Sequence, residues 1–111
     1  MVNKSVNILD VIEKLSNLDF QNDVWVKGKY WDRVANYSEA INTLEDYNFF
    51  DDLTNNRIGL TKEEINITNS FVKKLLEYGN RNPSYMISDN IWKDIVKHSQ
   101  LVSEILKRYD W

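Results

Sequence analysis

Apolar residues recur along this chain at spacings of three and four, with little strict alternation, so the pattern predicts helices almost throughout. Ile8, Leu9, Val11, Ile12 and Leu15 form one broad apolar face and predict a buried helix over 8–17, with Asn7 as N-cap and Asp10 in the first turn. Tyr30, Val34, Tyr37, Ile41 and Leu44 follow one another at 4, 3, 4 and 3, which predicts a second helix over 30–46. Between them, the stretch Val24-Trp25-Val26-Lys27-Gly28-Lys29-Tyr30-Trp31 alternates partly around a glycine, so a short hairpin or irregular piece is expected near 18–30.

The third helix carries the fullest set of signals. Thr61-Lys62-Glu63-Glu64 is a capping box, flanked by Leu60 and Ile65 at the two positions of a hydrophobic staple. Ile65, Thr68, Phe71, Val72, Leu75 and Leu76 supply the inward face, Gly79 is placed for a left-handed C-cap, and Pro83 bars continuation. A fourth helix is expected over 89–109 behind Ser88 as N-cap. Its stripe is Ile91, Ile95, His98, Val102, Ile105 and Tyr109, widened by Trp92, Val96 and Leu106, with Lys107 and Arg108 in the last turn. Ser99 offers a cap for a restart, so a break near 97–100 is compatible with the pattern. About four helices with modest loops predict an all-α bundle, a single domain over 1–111.

Composition agrees. The chain has 111 residues, 42% of them hydrophobic and 13% aromatic, enough for one real core, and only three Gly and one Pro to interrupt helices. No repeat, linker or low-complexity tract marks a second domain. Fourteen asparagines have no assigned role at this level. Without cysteine there is neither a disulfide nor a thiol nucleophile, which fits a reducing compartment. No apolar run has signal-peptide length or the ~18 residues of a membrane span, so a cytoplasmic location without membrane contact is expected.

Charge is unevenly spread. The net value is -3, but residues 34–56 hold Glu39, Glu45, Asp46, Asp51 and Asp52 and no Lys or Arg. No basic patch for nucleic acid is evident, and the acidic segment would repel phosphate and attract a cationic partner. The glycines at 28, 59 and 79 match no phosphate-cradling fingerprint. His98, the only histidine, lies on an apolar stripe without metal-ligand companions, and is expected as a half-buried residue with one ring nitrogen bonded. Adjacent acids on a helix do not face each other, and no calcium-loop spacing occurs, so no metal, cofactor or catalytic residue is assigned.

The segment that remains is Glu45-Asp46-Tyr47-Asn48-Phe49-Phe50-Asp51-Asp52. Its ordinary reading is a pair of core phenylalanines beside a helix end, with solvated acids. Its functional reading puts Tyr37, Tyr47 and one phenylalanine on a shared exposed face with Glu39, Glu45, Asp46, Asp51 and Asp52, a surface with aromatic anchors and charges that speed encounter. On that reading, reversing Asp51 and Asp52 to Lys removes affinity and leaves the fold intact. Together with the chain's size and its cysteine-free helical pattern, EDYNFFDD and its neighbours Tyr37 and Glu39 resemble the small acidic immunity proteins of bacterial toxin systems, of the colicin or contact-dependent growth-inhibition kind. The resemblance implies a non-catalytic protein that binds one cognate toxin domain, often a basic nuclease, and blocks its site with carboxylates. The alternative is a regulatory or phage-encoded adaptor that acts through protein contacts or forms a homodimer through Trp25, Trp31 and Trp111, a monomer being the simpler expectation. Trp111 is otherwise expected to fold back on the bundle. A small enzyme built on His98 with an acid is a third reading.

Overall fold

Short polar side chains, more than the apolar stripes, decide where the helices begin. In the computed structural model, which describes residues 4–111, α1 spans Lys4–Leu15, α2 spans Leu18–Phe20 and runs directly into a π-helical stretch, Gln21–Val26. Then come α3 (Tyr37–Asp46), α4 (Phe49–Thr54), α5 (Lys62–Tyr78), α6 (Pro83–Met86) and α7 (Asn90–Leu106), with no strand among the described residues. The all-α expectation holds; the expected four helices become seven, of which α1, α3, α4, α5 and α7 are the substantial ones.

Two boundaries differ from the sequence reading for identifiable reasons. The helix expected from 30 begins only at Tyr37, because the Asn36 side chain accepts from the Glu39 N–H at 2.9 Å and caps it there. Upstream, the Asp32 carboxylate accepts from the Val34 N–H at 2.8 Å, an Asx-type bond that competes with a helical turn. Val34 is still fully buried, so its place in the stripe reflected core packing and not helicity. Conversely, α1 starts before Asn7, which lies inside the helix, buried, and accepts from Arg33 Nη2 at 2.8 Å.

The region near 18–30 is no hairpin. Asn17 caps α2 by accepting from the Phe20 N–H at 3.0 Å, and the Lys27 N–H reaches the Asn22 carbonyl, five residues back, at 3.0 Å. Gln21 is fully buried there and fully used: Nε2 donates to the carbonyls of Lys14 and Leu15 at 3.0 and 3.1 Å, and Oε1 accepts from Trp92 Nε1 at 2.8 Å. Asparagine thus acquires a physical role. Asn17, Asn36 and Asn82 cap α2, α3 and α6, while Asn48 and Asn56 adopt left-handed backbone that asparagine tolerates better than most residues.

Helix α5 follows the sequence closely. Both arms of the Thr61–Glu64 capping box form, and Gly79 closes the helix at a φ of 77°. Leu76 is the exception on its predicted inward face, being exposed. Helix α7 is capped by Asp89, not Ser88, and is unbroken, because the buried Ser99 donates to the Ile12 carbonyl at 2.9 Å and so ties α7 to α1. It packs between α1 and α5, and α1 packs on α3. Trp92, fully buried, sits where α7 meets α5, α3 and the π-helical stretch, with Trp25, Tyr37 and Tyr78 at centroid distances of 6.2, 6.1 and 5.1 Å. Every buried side-chain nitrogen or oxygen among the described residues has a partner.

Glu64 does more than cap. Its carboxylate also accepts from the Tyr109 hydroxyl and lies 3.5 Å from Arg108, so it binds the C-terminal segment to the start of α5. The Tyr109 bond first, then the Thr61 N–H, hold its pKa below the ordinary 4.5. A carboxylate depressed on folding contributes stability that is present above its unfolded pKa and lost as pH falls through the folded one. Glu64→Gln should therefore be less stable than wild type at pH about 7, with the difference shrinking below about pH 4. Urea midpoints at the two pH values check this; an unchanged difference would mean that Glu64 acts without its charge.

Candidate binding surface

The acidic segment folds into the end of α3, a left-handed turn at Asn48, and α4. The turn brings the chain back so that Phe49 is fully buried and Phe50 half-buried, their rings 5.9 Å apart. The expected shared face therefore divides into residues that face solvent and residues that hold the fold.

Tyr37 belongs to the second group. It is 6% exposed, stands edge-on to Trp92, and its hydroxyl donates to the Leu75 carbonyl at 2.6 Å. Burial pushes that hydroxyl's pKa up, so it stays a neutral donor joining α3 to α5. Asp52 is likewise interior. At 3% exposure its carboxylate pairs with Lys4 of α1 and with Arg57 Nη1 at 3.2 Å, tying the loop after α4 to the first turn of α1. Asp51 is exposed but also bound to Arg57, whose guanidinium is held above its already high pKa by Asp51 first and then Asp52. The expectation that both aspartates project freely, and that reversing them leaves the fold intact, is corrected accordingly: Asp52 is a structural tie.

Glu39, Glu45 and Asp46 remain. All three are exposed on α3 and none has an ion-pair partner among the described residues. Glu39 and Asp46 are seven positions apart on one stripe, with exposed Asn42 between them, opposite the buried Ala40 and Leu44. Tyr47, half-buried, ends the helix beside Asp46. The acidic surface is thus an edge of α3 with one aromatic at its end, smaller than the face read from sequence.

His98 is held, not poised. Nε2 lies 3.0 Å from the Ile67 carbonyl and the ring stands edge-on to Phe71 at 5.7 Å. Burial lowers its pKa. The one acid near it, Asp94, faces solvent and pairs with Lys74 at 3.8 Å. No group of three or more metal-ligating side chains occurs among the described residues.

The tryptophans proposed for a dimer separate too. Trp25 is buried, its Nε1 donating to the Val34 carbonyl at 2.8 Å, and Trp111 folds back so that its Nε1 donates to the Leu106 carbonyl at 3.2 Å. Trp31 alone stands out, 88% exposed. Ile91, which the stripe of α7 placed inside, is 64% exposed. Nothing in the periodicity distinguished it from its buried neighbours. No helix among the described residues is long and apolar enough to cross a membrane. No family model matches the chain, and neither a curated protein nor a solved structure matches it.

Proposed function

We propose that this is a non-catalytic cytoplasmic binding protein, an immunity-type inhibitor of a cognate basic toxin domain, bacterial in origin, that engages its partner through the acidic edge of α3. The observation that carries the reading is the contrast within one segment. Asp51 and Asp52 are satisfied by Lys4 and Arg57, whereas Glu39, Glu45 and Asp46 are exposed without a cation partner among the described residues. Unpaired acids gathered on one short helix make a negative local field, and a cationic partner is attracted to it. In the complex these carboxylates would occupy the toxin's substrate groove, with Tyr47 packed at the rim.

Glu45→Lys with Asp46→Lys should weaken capture of a stoichiometric basic partner from the native organism by at least about tenfold, and wild-type association should slow as salt rises. Both positions are solvent-exposed, so the unfolding midpoint should barely move. Equal capture by wild type and variant would remove the acidic edge from the mechanism. The alternative, a regulatory or phage-encoded adaptor working through protein contacts, is favoured by a separate feature, the exposed Trp31.

A further inference from the structure

Trp31 is held out by an ordered segment. The Lys29 N–H donates to the Asp23 carbonyl at 2.9 Å and its ammonium pairs with the Asp23 carboxylate at 3.1 Å, while Gly28 supplies the turn at a φ of 61°. On the other side Lys14 grips both oxygens of Asp32 at 3.1 and 3.0 Å, and the Trp25 indole holds the Val34 carbonyl. Tyr30, 53% exposed, leans edge-on against Phe20 at 6.4 Å. The indole N–H of Trp31 has no acceptor among the described residues. A large aromatic on a preorganised segment is the usual anchor of a protein interface, because little freedom is lost when it docks.

The charges around it argue against a phosphate-bearing partner. Lys14, Lys29 and Arg33 are each paired with an aspartate, which leaves Lys27 as the one cation of this segment without an acid among the described residues. Nucleic acid and anionic lipid both need several free cations.

A receptor for such an anchor exists on the same chain. Between the end of α5 and the start of α7 lies a cleft of about 300 Å³ lined by Lys74, Glu77, Tyr78, Arg81, Ile91 and Ile95. That is the lower end of ligand-pocket size, suited to one ring system. Ile91 forms an exposed apolar wall, and the Arg81 guanidinium, 4.1 Å from the Tyr78 ring centroid and without an acid partner among the described residues, is available to a second ring by the same cation–π attraction. Glu77 is exposed without an ion pair among the described residues and complements Lys27.

We propose that two copies of this chain form a two-fold dimer in which the Trp31 indole of each enters the Tyr78–Ile91–Ile95 cleft of the other, with Lys27 facing Glu77. Reciprocal exchange of this kind closes on itself and forms no filament. The proposal keeps Trp31 alone from the homodimer alternative read from the sequence, departs from the monomer favoured there, and is independent of the inhibitor reading.

Sedimentation equilibrium from about 1 μM to about 1 mM decides it. The expected result is a reversible monomer–dimer equilibrium that Trp31→Ala and Ile91→Glu each weaken by at least about tenfold. Glu45→Lys with Asp46→Lys should leave it unchanged, which separates this result from the fate of the inhibitor reading. Trp31 and Ile91 are both exposed, and unchanged unfolding midpoints confirm that the variants fold. A monomer over the whole range overturns the proposal, as does a dimer sensitive to only one of the two sites.

Discussion

Trp92→Ala should lower the free energy of unfolding by about 3–5 kcal/mol, the largest loss expected from any single truncation in this chain. The side chain is fully buried where α7, α5, α3 and the π-helical stretch converge, and three aromatic rings lean on it. Truncation leaves a large cavity among rigid rings that cannot collapse into it. It also removes the donor to Gln21 Oε1, a fully buried acceptor whose amide nitrogen already spans two carbonyls and so cannot turn to help. A domain of this size has about 5–15 kcal/mol in total, so the loss removes a large fraction of its stability. Urea titration followed by far-UV circular dichroism gives the value, with the midpoint falling at constant slope. Trp92→Phe separates the two contributions: it restores most of the ring and none of the N–H, and should cost about 1–3 kcal/mol. A loss below about 1 kcal/mol for the alanine variant would mean that Trp92 is not the centre of the core.

What the sequence disclosed and what it withheld divide along physical lines. Helix α5 was legible from end to end because its start, face and stop are all local: a capping box needs four consecutive residues, and a terminal glycine needs one. The buried stripe of α7 was legible at Ile95, Val102 and Ile105, because burial on a helix recurs at its own period. The same reasoning failed at Ile91, since a stripe says which face is apolar and not how far a neighbouring helix extends to cover it. It failed at 30–36 because Val34 is buried by tertiary contacts without being helical, and the competing bond from Asp32 is invisible to a periodicity argument. The π-helical stretch depends on Gln21 finding Trp92, 71 positions away, which no local pattern announces.

The candidate site was read less well than the fold. Glu39, Glu45 and Asp46 were correctly placed outside, as acids on the polar side of a helix usually are. Tyr37 and Asp52 were not, and for the same reason: each is buried by virtue of a partner far along the chain, Leu75 in one case and Lys4 in the other. A run of acids reads as an exposed patch only while its partners are unknown, here Lys4 far along the chain and Arg57 just past the segment.

Asp52→Lys should therefore cost about 3–5 kcal/mol of stability, comparable to emptying the core, although the residue was first read as part of a binding face. The native carboxylate is 3% exposed and pairs with Lys4 and Arg57 together. A lysine in its place would bring a third cation against those two, in a site with no acid left except the exposed Asp51. Uncompensated buried charge is among the few single changes with so large an effect, whereas an exposed ion pair is worth under about 1 kcal/mol. Asp51→Lys, which breaks the exposed contacts with Arg57 and with the Asn55 amide, should accordingly cost less than about 1 kcal/mol. Asp52→Asn, keeping size and losing charge, should fall between the two. Thermal unfolding of the three variants at neutral pH orders them, and equal midpoints for Asp51→Lys and Asp52→Lys would show that Asp52 is not an interior tie. The ordering also governs how binding data are read. An Asp52 variant that loses its partner reports a damaged fold, while Glu45 and Asp46, which support nothing inside the protein, report the surface itself.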